Sequence, residues 1–270
     1  MNVLCCMALG LTLIPGACAW ATDGANASYV AAPYLTPHTT PGEQFGTVFS
    51  IAQSFKGDGF DELVGRNGGA AVDTAISDRA DTLTFSAIAR YDGQPDLHGI
   101  DELSNHGKTD CFSGKCRTYT DAGGLIYNEL LWGKPPSTIR IGTTWIVDIR
   151  QPWEMGPPAQ QRITVLRIDP VARTVTLLRE GRGTGLRLGE RNQIPIKKDG
   201  KTYQVDVIPG PAHWKGYTTF RAGFVDSDEL VVERPLTLVS KKLGTLKASE
   251  HMYMLLNAMP ADSLVVPQHG

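Results

Sequence analysis

The chain has 270 residues, of which 41% are hydrophobic and 20% are charged, and its 26 basic and 28 acidic residues give a formal net charge of -2. No block of Lys and Arg stands out, so the composition argues against a nucleic-acid partner and against an anionic membrane surface. Five cysteines would leave one unpaired thiol if all of them remained in the mature protein.

Residues 1–21 predict a cleavable secretory signal peptide. No side chain in this stretch is charged, and an apolar run leads to Pro15-Gly16 and then to several small residues. Signal peptidase recognises this pattern of an apolar segment followed by a small-residue end. We therefore expect the mature chain to begin at Thr22 or Trp20, and the protein to be periplasmic or secreted.

Two alternatives to simple cleavage stay open. The leader approaches the roughly 20 apolar residues that span a bilayer, so it would serve as an anchor if it were retained. Cys18 would be the acylated residue of a lipoprotein, although Pro15-Gly16-Ala17 is a poor lipobox. The start of the leader also lacks the usual Lys or Arg. Cleavage would leave no integral membrane span.

The remaining chain is long enough for one large β domain or two small ones. Residues 22–44 are rich in Ala, Pro and Thr, which predicts a flexible, extended arm. Residues 45–270 predict a β-rich domain, with two possible subdomains that meet near 134–138.

The body of the chain alternates apolar and polar residues with the period of β-strands. The clearest case runs from Ile139 to Arg150, and Asp81 to Tyr91 behaves in the same way. Paired strands are predicted at Arg162 to Ile168 and Thr174 to Leu178, Ile194 to Ile196 and Tyr203 to Ile208, and Thr218 to Val225 and Leu230 to Val239. Strands that follow one another without a helical pattern between them predict antiparallel sheets.

Cys111 and Cys116 remain after the leader is removed, and we expect them to be bonded to each other. Ser113-Gly114 between them suits a tight turn. A redox dithiol is disfavoured because such pairs usually have two intervening residues. A metal site that adds His98 and His106 matches no common zinc spacing. We predict a structural disulfide, no metal and no cofactor.

One helix is predicted near the C-terminus. Its apolar residues fall at i, i+3, i+4 and i+7: Met252, Leu255, Leu256 and Met259. Ser249 would cap its beginning, and Pro260 would end it. The complete pattern predicts a mainly β, β-rich α+β fold, with an antiparallel sheet arranged as a sandwich or a partly open barrel and one C-terminal amphipathic helix.

The sequence holds few catalytic signatures. It contains no G-x-S-x-G, S-x-x-K, H-E-x-x-H or P-loop motif. Gly181, Gly183 and Gly185 follow a predicted strand but open no helix, so we expect a flexible loop. These absences weaken acyl-transfer, zinc-peptidase and nucleotide chemistry and favour a noncatalytic protein.

Trp153 and Glu154 follow the strongest predicted strand, where a loop held by a rigid element often binds ligands. The aromatic ring and the carboxylate together suit a ligand-binding or catalytic position. The alternative is that Trp153 covers an open end of the sheet and the neighbouring prolines stiffen the turn.

Asp226, Asp228 and Glu229 lie on a predicted turn between two strands. Three carboxylates on one turn would bind calcium or supply an acid and a base. The alternative is a charged hairpin tip that faces water.

His213, Trp214 and Tyr217 form the third candidate cluster. An imidazole beside aromatic rings is typical of a sugar or peptide subsite. The alternative is a packed position at the rim of the sheet.

These residues support a secreted or periplasmic noncatalytic binding or envelope-interaction protein. Its partner would be a small apolar ligand, a glycan or an envelope protein, and not nucleic acid. A hydrolase acting on an envelope polysaccharide or peptidoglycan is the alternative, with Glu154 and the carboxylates of residues 226–229 as acid and base. An effector or immunity partner is a third possibility that rests on secretion alone.

Overall fold

The computed structural model describes residues 27–79, 82–91, 94–104, 107–112, 114–119, 125–150, 155–185 and 193–264, with the backbone alone for 117–119. The elements in these residues are β1 (Tyr29–Val30), α1 (Ala32–Leu35), β2 (Gln44–Gly57), β3 (Leu63–Arg79), β4 (Thr82–Tyr91), β5 (Leu97–Ser104), β6 (Gly107–Phe112), β7 (Lys115–Tyr119), α2 (Glu129–Trp132), β8 (Thr138–Ile139), β9 (Thr144–Ile149), β10 (Ala159–Asp169), β11 (Thr174–Gly183), β12 (Gln193–Lys198), β13 (Lys201–Pro209), β14 (Ala212–Arg221), β15 (Phe224–Ser240) and β16 (Gly244–Met259). A 3-10 helix, Ala261–Leu264, follows the last strand.

Fourteen of these strands form one antiparallel sheet. Its main path runs β7-β6-β5-β4-β3-β2-β16-β15-β14-β11-β10-β9. The β12–β13 hairpin joins this path where β13 pairs with the second half of β15. The short strands β1 and β8 pair separately. The antiparallel β architecture predicted from the alternating sequence is therefore confirmed.

The strands keep one face towards the core and one face away from it. In β14, Trp214 and Phe220 are buried, whereas their neighbours His213 and Arg221 are exposed. Residues that pair directly across two strands lie on the same face of the sheet. The strand registers therefore show which residues lie on each face of every strand from β9 to β6. We call the face with the buried residues of β14 the inner face and the opposite one the outer face.

Three apolar clusters lie on the inner face. The largest joins β9–β11 and β14–β16 to α1 and α2, with Trp132, Trp214 and Phe220 among its buried rings. A second cluster packs Phe85 and Leu103 against residues 125 and 126 and the start of β15. The third lies beneath the β12–β13 hairpin. The two short helices thus fill space on the inner face.

The predicted C-terminal helix is wrong. Residues 244–259 form β16, which pairs with β15 on one side and β2 on the other. Met252, Met254 and Leu256 alternate along its inner face, so a period of two fits this stretch as well as the helical period does. Pairing with β15 on one edge and with β2 on the other makes this stretch a strand instead of a helix. The 3-10 helix after Pro260 is the helical structure near this end.

Several local predictions can be compared with the structure. The strand predicted from Ile139 to Arg150 is divided into β8 and β9 by a turn at Gly142, whose φ is 85°. Gly181 and Gly183 belong to β11 instead of a flexible loop. The structure bonds Cys111 to Cys116, as the spacing predicted. β1 and α1 lie within residues 22–44.

Candidate functional site

The cluster predicted around Trp214 is divided between the two faces of the sheet. His213 and Tyr217 are exposed on the outer face, where they border an open trough of about 430 Å³ with Glu229 and Glu233. Trp214 points to the inner face and is 4% exposed. The alternation of β14 causes this division, so the indole does not share a surface with the imidazole and the phenol.

Trp214 is held in the core by two residues from neighbouring strands. Its Nε1 donates a hydrogen bond to Oε1 of Gln161 at 3.1 Å. Gly181 lies between them in the register, and a Cβ atom at this position would overlap the indole. The Gln161 side-chain amide donates in turn to the carbonyl of Leu131 in α2. This chain of contacts joins β14, β10 and α2.

The three carboxylates predicted on one turn lie in β15. Asp226 accepts a hydrogen bond from the Arg221 Nε at 2.9 Å near the surface. Asp228 faces inward, because it pairs with Thr218 of β14, whereas Glu229 pairs with the exposed Tyr217. Opposite faces separate Asp228 from Glu229, so these two carboxylates do not act on one substrate atom.

Asp228 forms a partly buried ion pair, in which the Arg179 side chain is 4% exposed and that of Asp228 is 17% exposed. The Arg179 Nη2 lies 2.9 Å and 2.6 Å from its two carboxylate oxygens, and Thr218 donates a further hydrogen bond. The guanidinium carbon lies 5.0 Å from the ring centre of Trp132. The paired charges and the ring stabilise the packing of α2 on the sheet. Glu154 and Trp153, the remaining predicted site residues, lie outside the described part of the chain.

A second group of buried charges was missed by the sequence patterns. Asp73 of β3 and Asp101 of β5 face inward and are each 4% exposed. The Lys108 ammonium of β6 lies 2.9 Å from an oxygen of Asp101 and 2.9 Å from one of Asp110. An alternation signal was present, because Asp101 has the same parity as the apolar Leu103.

Burial governs the proton affinity of this group. It raises the pKa of Asp73 to about 7, and the negative charge of Asp101 adds to the effect. Burial also raises the pKa of Asp101 against the attraction of Lys108. The two nearby carboxylates raise the pKa of the Lys108 ammonium despite its burial. Lys108 is therefore charged, and Asp73 changes charge near neutral pH.

Part of the outer face of β3–β6 carries little charge. We call the following positions the neutral face: Val72, Thr74, Thr84, Ser86, Ile88, Ile100, Thr109 and Cys111, together with the exposed Ile76 in the bulge between Ala75 and Ser77. Ile76 and Ile100 are 47% and 38% exposed. Glu102 lies within this area, because it pairs with Thr84 on one side and with Thr109 on the other, and Arg66, Arg90 and His98 lie on the same side of the sheet. Hydroxyl and aliphatic groups thus make up most of this area, with one carboxylate among them.

The outer face of the other half of the sheet is charged. We call the following positions the charged face: Arg162, Glu180, Arg182, His213, Lys215, Glu229, Glu233 and His251. Lys215 lies 3.1 Å from Glu180, and His251 lies 3.7 Å from Glu233. The two halves of the sheet therefore present different chemistry on the same side.

Two further features are absent from the described residues. No group of three or more His, Cys, Asp and Glu side chains there has the arrangement of a metal site. None of the helices in that part of the chain has the length and apolar character needed to cross a membrane.

No family model and no curated protein matches the chain. Among solved structures it is similar to Neisserial surface protein A, with 8% identity, a TM-score of 0.21 and coverage of 79% of this chain and 96% of that chain. It is also similar to OmpT, an outer membrane protein of Vibrio cholerae, with 9% identity, a TM-score of 0.23 and coverage of 82% and 100%. The values for Ail, the attachment invasion locus protein of Yersinia pestis, are 8%, 0.15, 82% and 100%.

The matches correct the function expected from the sequence. They are to outer membrane proteins, which contradicts a soluble secreted or periplasmic noncatalytic binding or envelope-interaction protein. The hydrolase alternative belonged to the same expectation and is not retained; Asp228 and Glu229 lie on opposite faces, and the pairing of either with Glu154 falls outside the described residues. A location in the cell envelope agrees with the matches. TM-scores this low carry no argument about shape, site or activity.

Proposed function

We propose that this chain is an outer-membrane-associated envelope protein that lies against the membrane through the neutral face of β3–β6. The observation that carries the proposal is the contrast between the neutral face and the charged face on the same side of one sheet. Export by the leader predicted at residues 1–21 would bring the chain to the envelope.

The neutral face suits the boundary between lipid headgroups and acyl chains. Ile76 and Ile100 supply exposed apolar area, and the register Thr74, Ser86, Ile100 places two hydroxyl side chains beside it. Hydroxyl groups keep hydrogen bonds with headgroups and water while aliphatic groups enter the acyl region. Association through this face needs no strand to cross the membrane.

The charged face disfavours the opposite orientation. A lysine on a lipid-facing strand position costs about 2–4 kcal/mol at the centre of a bilayer and about 0–1 kcal/mol near its interface. Lys215, Glu180 and Glu233 lie on neighbouring strands of this face, so several such costs would add. The charged face therefore stays in water when the neutral face meets the membrane.

The contact is expected to be reversible. Burying a whole isoleucine side chain contributes about 1.5–3 kcal/mol, and Ile76 and Ile100 are only partly exposed to begin with. Even a single acyl chain gives only marginal, reversible binding, so these two side chains hold the protein weakly and the rest of the neutral face must add to the contact. A charge placed at both positions should therefore remove most of the association.

The full chain is to be produced in a Gram-negative host, and outer membranes separated from inner membranes and soluble periplasm by density. We expect the wild-type protein with the outer membranes, and the double variant Ile76→Lys, Ile100→Lys to be reduced there by roughly tenfold or more. Ile146→Lys is the matched control, because Ile146 is 54% exposed on the outer face of β9.

Circular dichroism and a thermal melt are to establish that all variants fold. A wild-type protein found in the soluble periplasm would contradict the proposal. Equal loss of membrane association in the double variant and in Ile146→Lys would show that the neutral face has no special part in the contact.

A further inference from the structure

Two buried carboxylates on the inner side of the neutral half of the sheet lack complete hydrogen bonding. Asp73 and Asp101 are each 4% exposed, and the Oδ1 atom of each has no hydrogen-bond partner among the described atoms. Buried polar atoms almost always have a partner, and one that lacks a protein partner needs a physical explanation such as a bound proton, ion or water. The apolar surroundings and the unbalanced charges decide between these explanations.

The charges around Asp73 do not balance. Of the described side chains on the strands beside it, Asp101, Lys108 and Asp110 are the titratable groups that act on it. Lys108 is shared between Asp101 and Asp110, at 2.9 Å from each. Three ionised carboxylates and one ammonium would leave two uncompensated negative charges in a buried region, which is costly.

The other neighbours of Asp73 are apolar. Phe45 of β2 pairs directly with it, and Ala87 of β4 is its partner on the other side. The cluster that packs over this half of the sheet consists of apolar side chains, including Phe85 and Phe224. These groups offer no hydrogen bond to an ionised carboxylate, whereas they tolerate a neutral carboxylic acid.

We propose that Asp73 is a proton-binding site that regulates the contact of the neutral face with the membrane, an inference that rests on the proposed function. A proton on Asp73 removes one of the two uncompensated charges and holds β3–β6 together. Loss of this proton leaves the negative charges of Asp73 and Asp101 repelling each other inside an apolar region. The hydrogen bonds between β3, β4, β5 and β6 therefore open more often.

The coupling to the membrane follows from the alternation of the strands. Asp73 precedes Thr74 of the neutral face, and Asp101 follows Ile100 of that face. A displacement of either carboxylate therefore moves a residue of the neutral face directly. The pKa of Asp73, raised to about 7 by burial, puts this change within the range of environmental pH.

The first test is hydrogen exchange of the backbone amides of β3–β6 in the purified mature chain at pH 5.5 and pH 8.5, corrected for the intrinsic exchange rates. We expect the opening equilibrium of these amides to rise by about tenfold or more at the higher pH in the wild type. Asp73→Asn should abolish the rise. Asp148→Asn, on the exposed outer face of β9 and away from β3–β6, is the matched control and should keep it.

The second test is flotation of the same proteins with neutral phosphatidylcholine vesicles at both pH values. The wild type and Asp148→Asn should float more at pH 5.5, and Asp73→Asn should float equally at both. An unchanged pH dependence in Asp73→Asn would overturn the regulation. Failure of the wild type to float at either pH, with the exchange result intact, would instead overturn the membrane contact and leave the proton site standing.

A third measurement needs no variant, so it holds even if Asp73→Asn does not fold. The carboxyl ¹³C resonance of Asp73 in the wild type should titrate with a midpoint near the pKa of about 7. A midpoint below 5 would show that Asp73 is ionised at both pH values and would overturn the proposal.

Discussion

Gly181 and Trp214 are partners in the pairing of β11 with β14, and the indole occupies the space that a side chain at residue 181 would need. The glycine also leaves the indole Nε1 free to reach Gln161 on the next strand, at 3.1 Å. Residue 181 has no side chain because the indole of Trp214, the largest side chain type, fills the space beside it.

Gly181→Ala should therefore destabilise the protein. The new methyl group would force Trp214 to move and would strain its hydrogen bond to Gln161, at a cost of about 1–3 kcal/mol. Urea unfolding followed by tryptophan fluorescence measures this cost. Gly65→Ala is the matched control, since a Cβ atom there would meet only the Gln53 carbonyl oxygen, at 4.0 Å, and should change stability by less than about 0.5 kcal/mol. Equal effects would mean that the indole is free to move.

Two aspartates of β15 should differ in their contribution to stability. Asp228→Ala leaves the guanidinium of Arg179, 4% exposed, without its partner, and should cost about 3–5 kcal/mol. Asp226→Ala removes a surface pair with Arg221, which is 54% exposed, and should cost less than about 1 kcal/mol. Chemical denaturation of both variants compares them. A similar loss in each would show that the Arg179 pair is solvated.

Stability should fall with rising pH because of Asp73. Its pKa is about 7 in the folded protein against an ordinary value of 3.8, so the folded state keeps a proton that the unfolded chain has released. The stabilisation by this proton is complete below pH 4 and is lost as pH rises to about 7, up to roughly 4 kcal/mol. The free energy of unfolding of wild type minus Asp73→Asn, measured from pH 4 to 8, should therefore decrease. A constant difference would contradict the raised pKa.

The disulfide should contribute modestly. Cys111 and Cys116 are five residues apart and close a small loop, for which the chain-entropy model gives about 2 kcal/mol. The double change to Ser should lower stability by about that amount and leave the fold intact. Thiol counting on the unreduced wild-type mature protein should detect no free cysteine at these positions. Two reactive thiols would exclude the bond.

The strands were predicted well from the sequence where one face of the strand is buried and the other is exposed to solvent. β4, β9 and β10 show this pattern, and their alternation is visible without any structure. The strand predicted from Thr218 to Val225 is wrong in its bounds, because β14 ends at Arg221 and a turn precedes β15. The same reasoning failed for β16, because this strand lies in the middle of the sheet and carries apolar residues on both faces, such as Met254 and Leu255. A continuous apolar run fits a helix and a central strand equally, and only the neighbours decide.

The charge clusters show a similar limit. The acidic stretch from Asp226 to Glu229 looked like a turn because charged residues concentrate there, but an inward Arg179 on another strand makes a strand position acceptable for Asp228. The pairing of Asp101 with Lys108 also depends on contacts between strands. Local patterns indicate which residues face inward, and the partner of each buried charge comes from a register that the sequence does not state.

The position of β16 has a consequence for the order in which the protein is made. Gln53 and Glu250 are hydrogen-bonded although 197 residues separate them, because the last long strand fills the gap between β15 and β2. Until it emerges, the early and late parts of the chain are two sheets with bare edges at β2 and β15. Contacts this distant form slowly, and bare edges invite pairing with other chains. Correct folding of this chain therefore requires β2 to remain unpaired with other chains while some two hundred residues are still to come.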